Sequence, residues 1–220
     1  MEFEFTLKGE TSLLMHWDDV LSADAISEWR LDPANTKKKG EKSGDDRRPA
    51  WTWITYTYHD ENHIVIPSFN ITSALKKAGA RVPLGRQKTF KELAVSGILF
   101  TQEFLSFTNN GKPVPYQPIA KYYGEVGDFT KHVKLANSLG FRLDVRRAAI
   151  GQSKHVRVRP RFDEWAVHGV LNVIAKEIDE AILESLFVQL GRGGIGDWRP
   201  TSPKSPGPFG MFTHKLKRIK

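Results

Sequence analysis

Between Ser153 and Phe162 the chain reads SKHVRVRPRF, with cationic and apolar residues in almost strict alternation. Side chains of an extended chain point alternately to its two faces, so His155, Arg157, Arg159 and Arg161 share one side and Val156, Val158 and Phe162 the other. Guanidinium groups repeated along a strand can follow a line of phosphates, each held bidentately. That electrostatic contribution supplies most sequence-independent affinity for nucleic acid. With Arg142, Arg146, Arg147 and Lys154 included, residues 142–161 hold seven Lys/Arg against Asp144 alone, a local +6 of a formal net charge of +8. The plainer alternative is a solvated edge strand that uses arginine to deter aggregation. Four cations of one parity, with three arginines just upstream, exceed what that role requires.

A second cluster is Gly191, Gly193, Gly194 and Gly196, which satisfies G-x-G-x-x-G. The dinucleotide fingerprint needs a strand before the glycines and a helix after them. Here a helical pattern precedes, and Pro200, Pro203, Pro206 and Pro208 forbid a helix afterwards. No Gly-Lys-Ser/Thr completes a Walker loop. Two readings stay open: a helix C-cap with a long connection, or a loop whose bare backbone approaches a ligand. One glycine is enough for a cap, so Gly193, Gly194 and Gly196, with Trp198 and Arg199 beside them, are candidate contacts.

Exposed aromatic rings would add base stacking, and Trp51, Trp53, Tyr56, Tyr58, Tyr122, Tyr123 and Trp198 are the candidates; for Trp51 and Trp53 a buried strand face stays equally open. Lys37, Lys38 and Lys39, with Lys42, Arg47 and Arg48, form a further basic run that would act as an arm ordering on the ligand, although Glu41, Asp45 and Asp46 offset it. No catalytic residue, cofactor or metal site is expected. There is no cysteine, and H-E-x-x-H, G-x-S-x-G and carboxylate clusters with metal spacing are missing. His16, His155 and His168 are the possible general bases for RNA cleavage, but a lone histidine beside an apolar strand is more often a hydrogen-bonded core residue.

The elements that must carry these groups are legible in part. MEFEFTLKGE alternates Phe3, Phe5 and Leu7 with polar residues, a strand pattern without the block of a signal peptide. Residues 18–50 read as a flexible basic insertion. WTWITYTYHDENHIVIP reads as two strands hinged at Asp60-Glu61-Asn62. Ser68 is placed as the N-cap of a helix with Ile71, Leu75 and Ala78 on one face and Gly79 as its stop. GILFTQEFLSF (97–107) reads as a strand and NNGKPVP as a turn. Two basic strands joined through Gly151 follow, within a second insertion spanning 108–161. A strand over 165–174, a helix from about Asp179 bearing Ile182, Leu186 and Leu190 and ending at Gly191, and a last strand, MFTHKLKRI, complete the chain. The absence of cysteine and of an apolar run of about 18 residues points to a cytoplasmic protein, in the host cytoplasm for a phage-encoded one, with no membrane partner.

The order of these segments resembles the RAMP superfamily, which includes RNA-binding backbone and processing proteins of CRISPR systems. Ile66, Pro67, Ser68, Ile71 and Leu75 match the segment that opens the first helix there; Gly191 to Gly196, Gly207, Phe209 and Gly210 match the glycine-rich loop after the second. The chain is also similar to small phage-encoded proteins, which would make it a solitary member. The resemblance implies an α+β fold: a ferredoxin-like, RRM-like β-α-β-β-α-β core with insertions and a C-terminal glycine-rich loop, here a single domain over 1–220. It also implies a homo-oligomer or filament along the strand. Asp18-Asp19 is similar to the acidic residue with which some backbone members cut target RNA.

The expected function is single-stranded nucleic-acid binding, RNA or DNA, without strong sequence preference. The expected contacts are Arg142, Arg146, Arg147, Lys154, His155, Arg157, Arg159, Arg161, Gly193, Gly194, Gly196, Trp198, Arg199 and Lys37 to Lys39. A metal-independent endoribonuclease, and a protein-interaction, inhibitor or structural phage protein, are the alternatives.

Overall fold

The computed structural model describes residues 1–35, 44–125, 127–150, 153–203 and 205–220, with the side chains of 148–150, 153 and 154 left out. In chain order the strands are β1 (Glu2–Gly9), β2 (Leu13–Leu14), β3 (Val65–Pro67), β4 (Ile98–Phe100) and β5 (Phe104–Asn109). They continue as β6 (Lys112–Pro113), β7 (Arg142–Ile150), β8 (Ser153–Phe162), β9 (Trp165–Val173) and β10 (Phe212–Arg218). The helices are α1 (Val20–Leu31), α2 (Thr52–Thr55), α3 (Ser68–Gly79), α4 (Leu93–Ser96), α5 (Gln117–Ala120), α6 (Phe129–Ser138) and α7 (Glu180–Gly193). The protein is mixed α+β with antiparallel sheets. Two compact units form: one from residues 1–14, 64–114 and 162–220, the other from residues 15–63 and 115–161.

The first unit is built on an antiparallel sheet of order β10-β1-β9-β5-β3, with β4 also paired to β9 and β6 to β5. In β1, Phe3, Phe5 and Leu7 are buried while Glu4 and Lys8 face water, as the period of two requires. Phe5 meets Phe100 and Phe187, and α3 and α7 pack side by side. α3 buries Ile71, Leu75 and Ala78 as expected, but Ser68 is its first residue rather than its cap: Pro67 holds the cap position, and the Ser68 N–H donates to the Glu103 carbonyl. Segment 97–107 is two strands, β4 and β5, interrupted at Thr101–Glu103. Asp179 caps α7 by accepting from the Ile182 N–H at 2.8 Å. That helix runs two residues beyond its expected end at Gly191, to Gly193.

The expected hairpin over residues 51–67 is not formed: in the second unit 52–55 is helical, and only Val65–Pro67, in the first unit, is a strand. The alternation of aromatic and β-branched residues misled because every residue from 51 to 58 is buried. No face was left to be wet. The threonine hydroxyls also bond back to carbonyls three or four residues earlier, Thr52 to Pro49, Thr55 to Thr52 and Thr57 to Trp53, which favours a tight coil over a ladder. Residues 20–31, expected to be part of a flexible insertion, form α1, capped by the Asp19 carboxylate. Trp53 lies fully buried against Phe141 and His132.

His132 gives this core a pH dependence. Its Nδ1 accepts the Trp53 Nε1–H at 3.1 Å, so the neutral ring carries its proton on Nε2. Burial lowers its pKa, against the opposing pull of Glu125. A folded-state pKa below the unfolded one means the unfolded chain protonates first on acidification. The contribution is therefore complete above about pH 6.5 and is lost as the pH falls through the lower folded value. Denaturant unfolding followed by tryptophan fluorescence at about pH 7.5 and about pH 5 should show lower stability in acid. His132→Gln, which keeps an acceptor for Trp53, should flatten that difference; an unchanged difference would remove His132 as its source.

Candidate nucleic-acid interface

β7 and β8 pair in the register Arg142↔Arg161, Asp144↔Arg159, Arg146↔Arg157 and Ala148↔His155. Directly opposed residues project to the same side, so this face presents five guanidinium groups, Arg142, Arg146, Arg157, Arg159 and Arg161. The expected segregation of cations to one side of β8 is therefore formed, but its surroundings are not open water. Arg159 is only 9% exposed and Asp46 only 1%.

Asp46 enters from the segment before α2. Its N–H donates to the Val156 carbonyl at 2.9 Å, and Val156 N–H donates to the Gly44 carbonyl at 2.9 Å, so this segment adds itself alongside β8. The Asp46 carboxylate then accepts from Arg157 Nη1 at 3.3 and 3.4 Å, from the Val158 N–H at 3.3 Å and from the Tyr56 hydroxyl at 3.2 Å. Arg157 donates also to the Tyr56 oxygen at 3.0 Å, and Arg30 stands 4.0 Å from the same carboxylate. Burial, then the Asp46 charge, pushes the Tyr56 phenol up to about 12; it stays a neutral donor. Asp144 holds the other end of the face, accepting from Arg146 at 2.9 Å with Arg161 at 3.8 Å. Sequence reasoning missed Asp46 and Arg30, and it took Tyr56 for a stacking ring. Asp46 was grouped with the offsetting charges of a flexible run, and no local pattern ties it to β8.

The other expected contacts fall as follows. Arg142 and Arg147 are exposed. His155 packs its ring over Gly44, where a Cβ would lie 1.5 Å from Nδ1. Lys37 to Lys39 and the turn residue Gly151 lie outside the described residues, as does the side chain of Lys154. Trp51, Trp53, Tyr56 and Tyr58 are buried, so they are core residues rather than open stacking platforms. Tyr122 packs edge-on against His132, and Tyr123 is 43% exposed. Of the three histidines considered as bases, His16 lies against Tyr56, and His168 shares a 3.1 Å hydrogen bond with Thr6. Asp19 serves the α1 cap. Among the described residues no group of acids and histidines could hold a metal ion, and no helix is long and apolar enough to cross a membrane.

In the first unit the glycine-rich segment is packed against the protein's own backbone. A Cβ on Gly191 would come within 2.2 Å of the Phe212 carbonyl, and one on Gly196 within 2.5 Å of the Leu14 carbonyl. Gly193 backs onto Thr201, and Gly194 has φ +70 beside the Phe209 and Gly210 carbonyls. Bare backbone here lets chain meet chain, which favours the first of the two readings left open by the sequence, a helix cap with a long connection. Trp198 leans on Phe209, and Arg199 donates to the Gly196 carbonyl.

The same loop borders a hollow of about 400 Å³ lined by Lys76, Lys77, Arg81, Lys91, Thr201 and Ser202. Lys77 Nζ donates to the Thr201 carbonyl at 3.0 Å. Burial, then the charge of Arg199, holds its pKa below the ordinary value. Glu92 is the acid here, 3.8 Å from Lys76 and 3.7 Å from Lys91. The hollow thus concentrates cations and hydroxyls, the chemistry of an anion site. Lys76-Lys77 at the end of a helix was its one sequence signal, and it also fits a plain response to the helix dipole.

No protein-family model matches the chain, and no curated protein sequence does.

Proposed function

We propose that the protein binds single-stranded nucleic acid, RNA or DNA, without strong sequence preference. The observation that carries this is the set of arginines on one side of the β7–β8 hairpin: Arg142, Arg146, Arg157, Arg159 and Arg161 share that face, where Asp46 pairs with Arg157 and Asp144 with Arg146 and Arg161. Arginines gathered on one side of a hairpin raise the local positive potential, which supports capture of a phosphate backbone. Lys76, Lys77, Arg81, Lys91 and Arg199 offer the same chemistry in the first unit.

The RAMP-like reading also has a topological support. Taking β1, β5, β9 and β10 as strands one to four, with α3 after the first and α7 after the third, the spatial order is four-one-three-two, all antiparallel. That order supports reading a ferredoxin-like β-α-β-β-α-β core in the first unit. Assembly of copies along one strand belongs to the same proposal, as does a site of action in the cytoplasm.

Fluorescence anisotropy with labelled single-stranded RNA and DNA over a salt series tests it. Affinity should fall steeply as salt rises. Arg142→Glu, at an exposed position of the β7–β8 face, should weaken binding and lower the slope of log K against log salt by about 0.7, one phosphate contact. Salt-independent binding, or an Arg142→Glu variant that binds like the parent, would overturn the proposal.

A further inference from the structure

We propose that the second unit contains a pocket for a small organic cation, an ammonium or guanidinium group held against aromatic rings and one carboxylate. The pocket, about 310 Å³, is bordered by Trp17, Asp19, Thr55, His59, Tyr116 and Tyr123. The His59 and Tyr116 rings are stacked at 3.7 Å and 8°, and Trp17 stands edge-on to His59 at 5.3 Å. Among the described residues, no lysine or arginine lines this hollow.

Two features of its chemistry select the sign of the ligand. The first is the aromatic surface, whose electron-rich faces attract cations at about 0.5–2 kcal/mol each. Tyr116 stays a neutral phenol, its pKa pushed up to about 12 by burial and then by Tyr123. His59 stays a neutral imidazole because burial lowers its pKa against the opposing pull of Glu61, Asp60 and Asp19. Its Nδ1 accepts the Glu61 N–H at 3.2 Å, so no ring charge opposes an incoming cation. The second is the carboxylate. Asp19 Oδ1 accepts from the Leu21 N–H at 3.2 Å and Oδ2 from the Ser22 hydroxyl at 2.7 Å, which leaves each oxygen a further lone pair. Asp19 thus puts a negative charge on the border of the pocket. A phosphate-bearing ligand is disfavoured there, and a compact cation is favoured. The volume lies at the small end of ligand pockets, sized for a choline-like or guanidinium head rather than for a nucleotide.

This site does not depend on nucleic-acid binding and is tested separately. Calorimetric titration of the full chain uses choline, agmatine, the uncharged choline isostere 3,3-dimethylbutan-1-ol, and guanosine as a neutral flat ring. Choline or agmatine should bind, with the isostere and guanosine at least about tenfold weaker. Asp19→Asn keeps a good helix cap and should lose about tenfold for the cations, while Tyr116→Leu should weaken them with Asp19 intact. Equal binding of choline and its isostere, preference for guanosine, insensitivity to Asp19→Asn, or no binding by either cation would each overturn the assignment.

Discussion

Asp46→Ala should destabilise the second unit by ~3–5 kcal/mol, the usual result of stripping one partner from a buried ion pair. Its carboxylate is 1% exposed and accepts from Arg157, Tyr56 and the Val158 N–H at once. Removing it leaves the Arg157 guanidinium, itself largely screened from water, facing only a phenol, and leaves a β8 amide without its acceptor. Urea unfolding monitored by tryptophan fluorescence measures the loss. The double variant Asp46→Ala with Arg157→Met should recover much of it, because the uncompensated charge is then gone as well. A loss below about 1 kcal/mol would mean that the network contributes little to the fold. The result also governs how binding is tested. Reversing Arg157 or Arg159 attacks the core of the hairpin, so loss of nucleic-acid binding in such variants reports unfolding, whereas Arg142 and Arg147 can be changed at the surface.

Gly210→Ala should cost ~2–5 kcal/mol in the first unit. The residue has φ +73, and an added Cβ would lie 1.8 Å from the Ile195 carbonyl oxygen. The left-handed conformation accounts for ~1–2 kcal/mol and the forced shift of backbone for ~1–3 more. Gly85 is the control, with φ +85 and nothing within 4 Å of the added Cβ; Gly85→Ala should carry only the conformational part. Equal losses at the two positions would show that the close approach between Gly210 and Ile195 is not maintained. A Gly210→Ala protein of normal stability that no longer binds nucleic acid would return the glycine-rich segment to a ligand-contact role.

Much of the first unit was legible because its elements are amphipathic with one clean period each. β1 shows a period of two, and α3 and α7 show buried stripes at helical spacing, with Asp179 and the glycines marking the ends of α7. The segment 51–58 was not legible. It carries strand-like residues but is buried on every side, so its alternation reported no face, and local threonine-to-carbonyl bonds turned it into a coil. The aromatic pocket was equally hidden, since Trp17, Asp19, His59 and Tyr116 come from separate stretches of the chain that no local pattern connects.

The sequence by itself determined the basic hairpin: its alternation placed the arginines of β8 on one side, and its local excess of positive charge pointed to an anionic partner. Only the tertiary structure decided which of those charges remain available. Asp46 lies 111 residues from Arg157, and a pairing across that separation leaves no trace in composition or period. It forms because a buried guanidinium must be matched by a buried acceptor. Thus Arg157, the centre of the charged strand as read from the sequence, is its structural anchor, whereas Arg142 and Arg147 stand exposed.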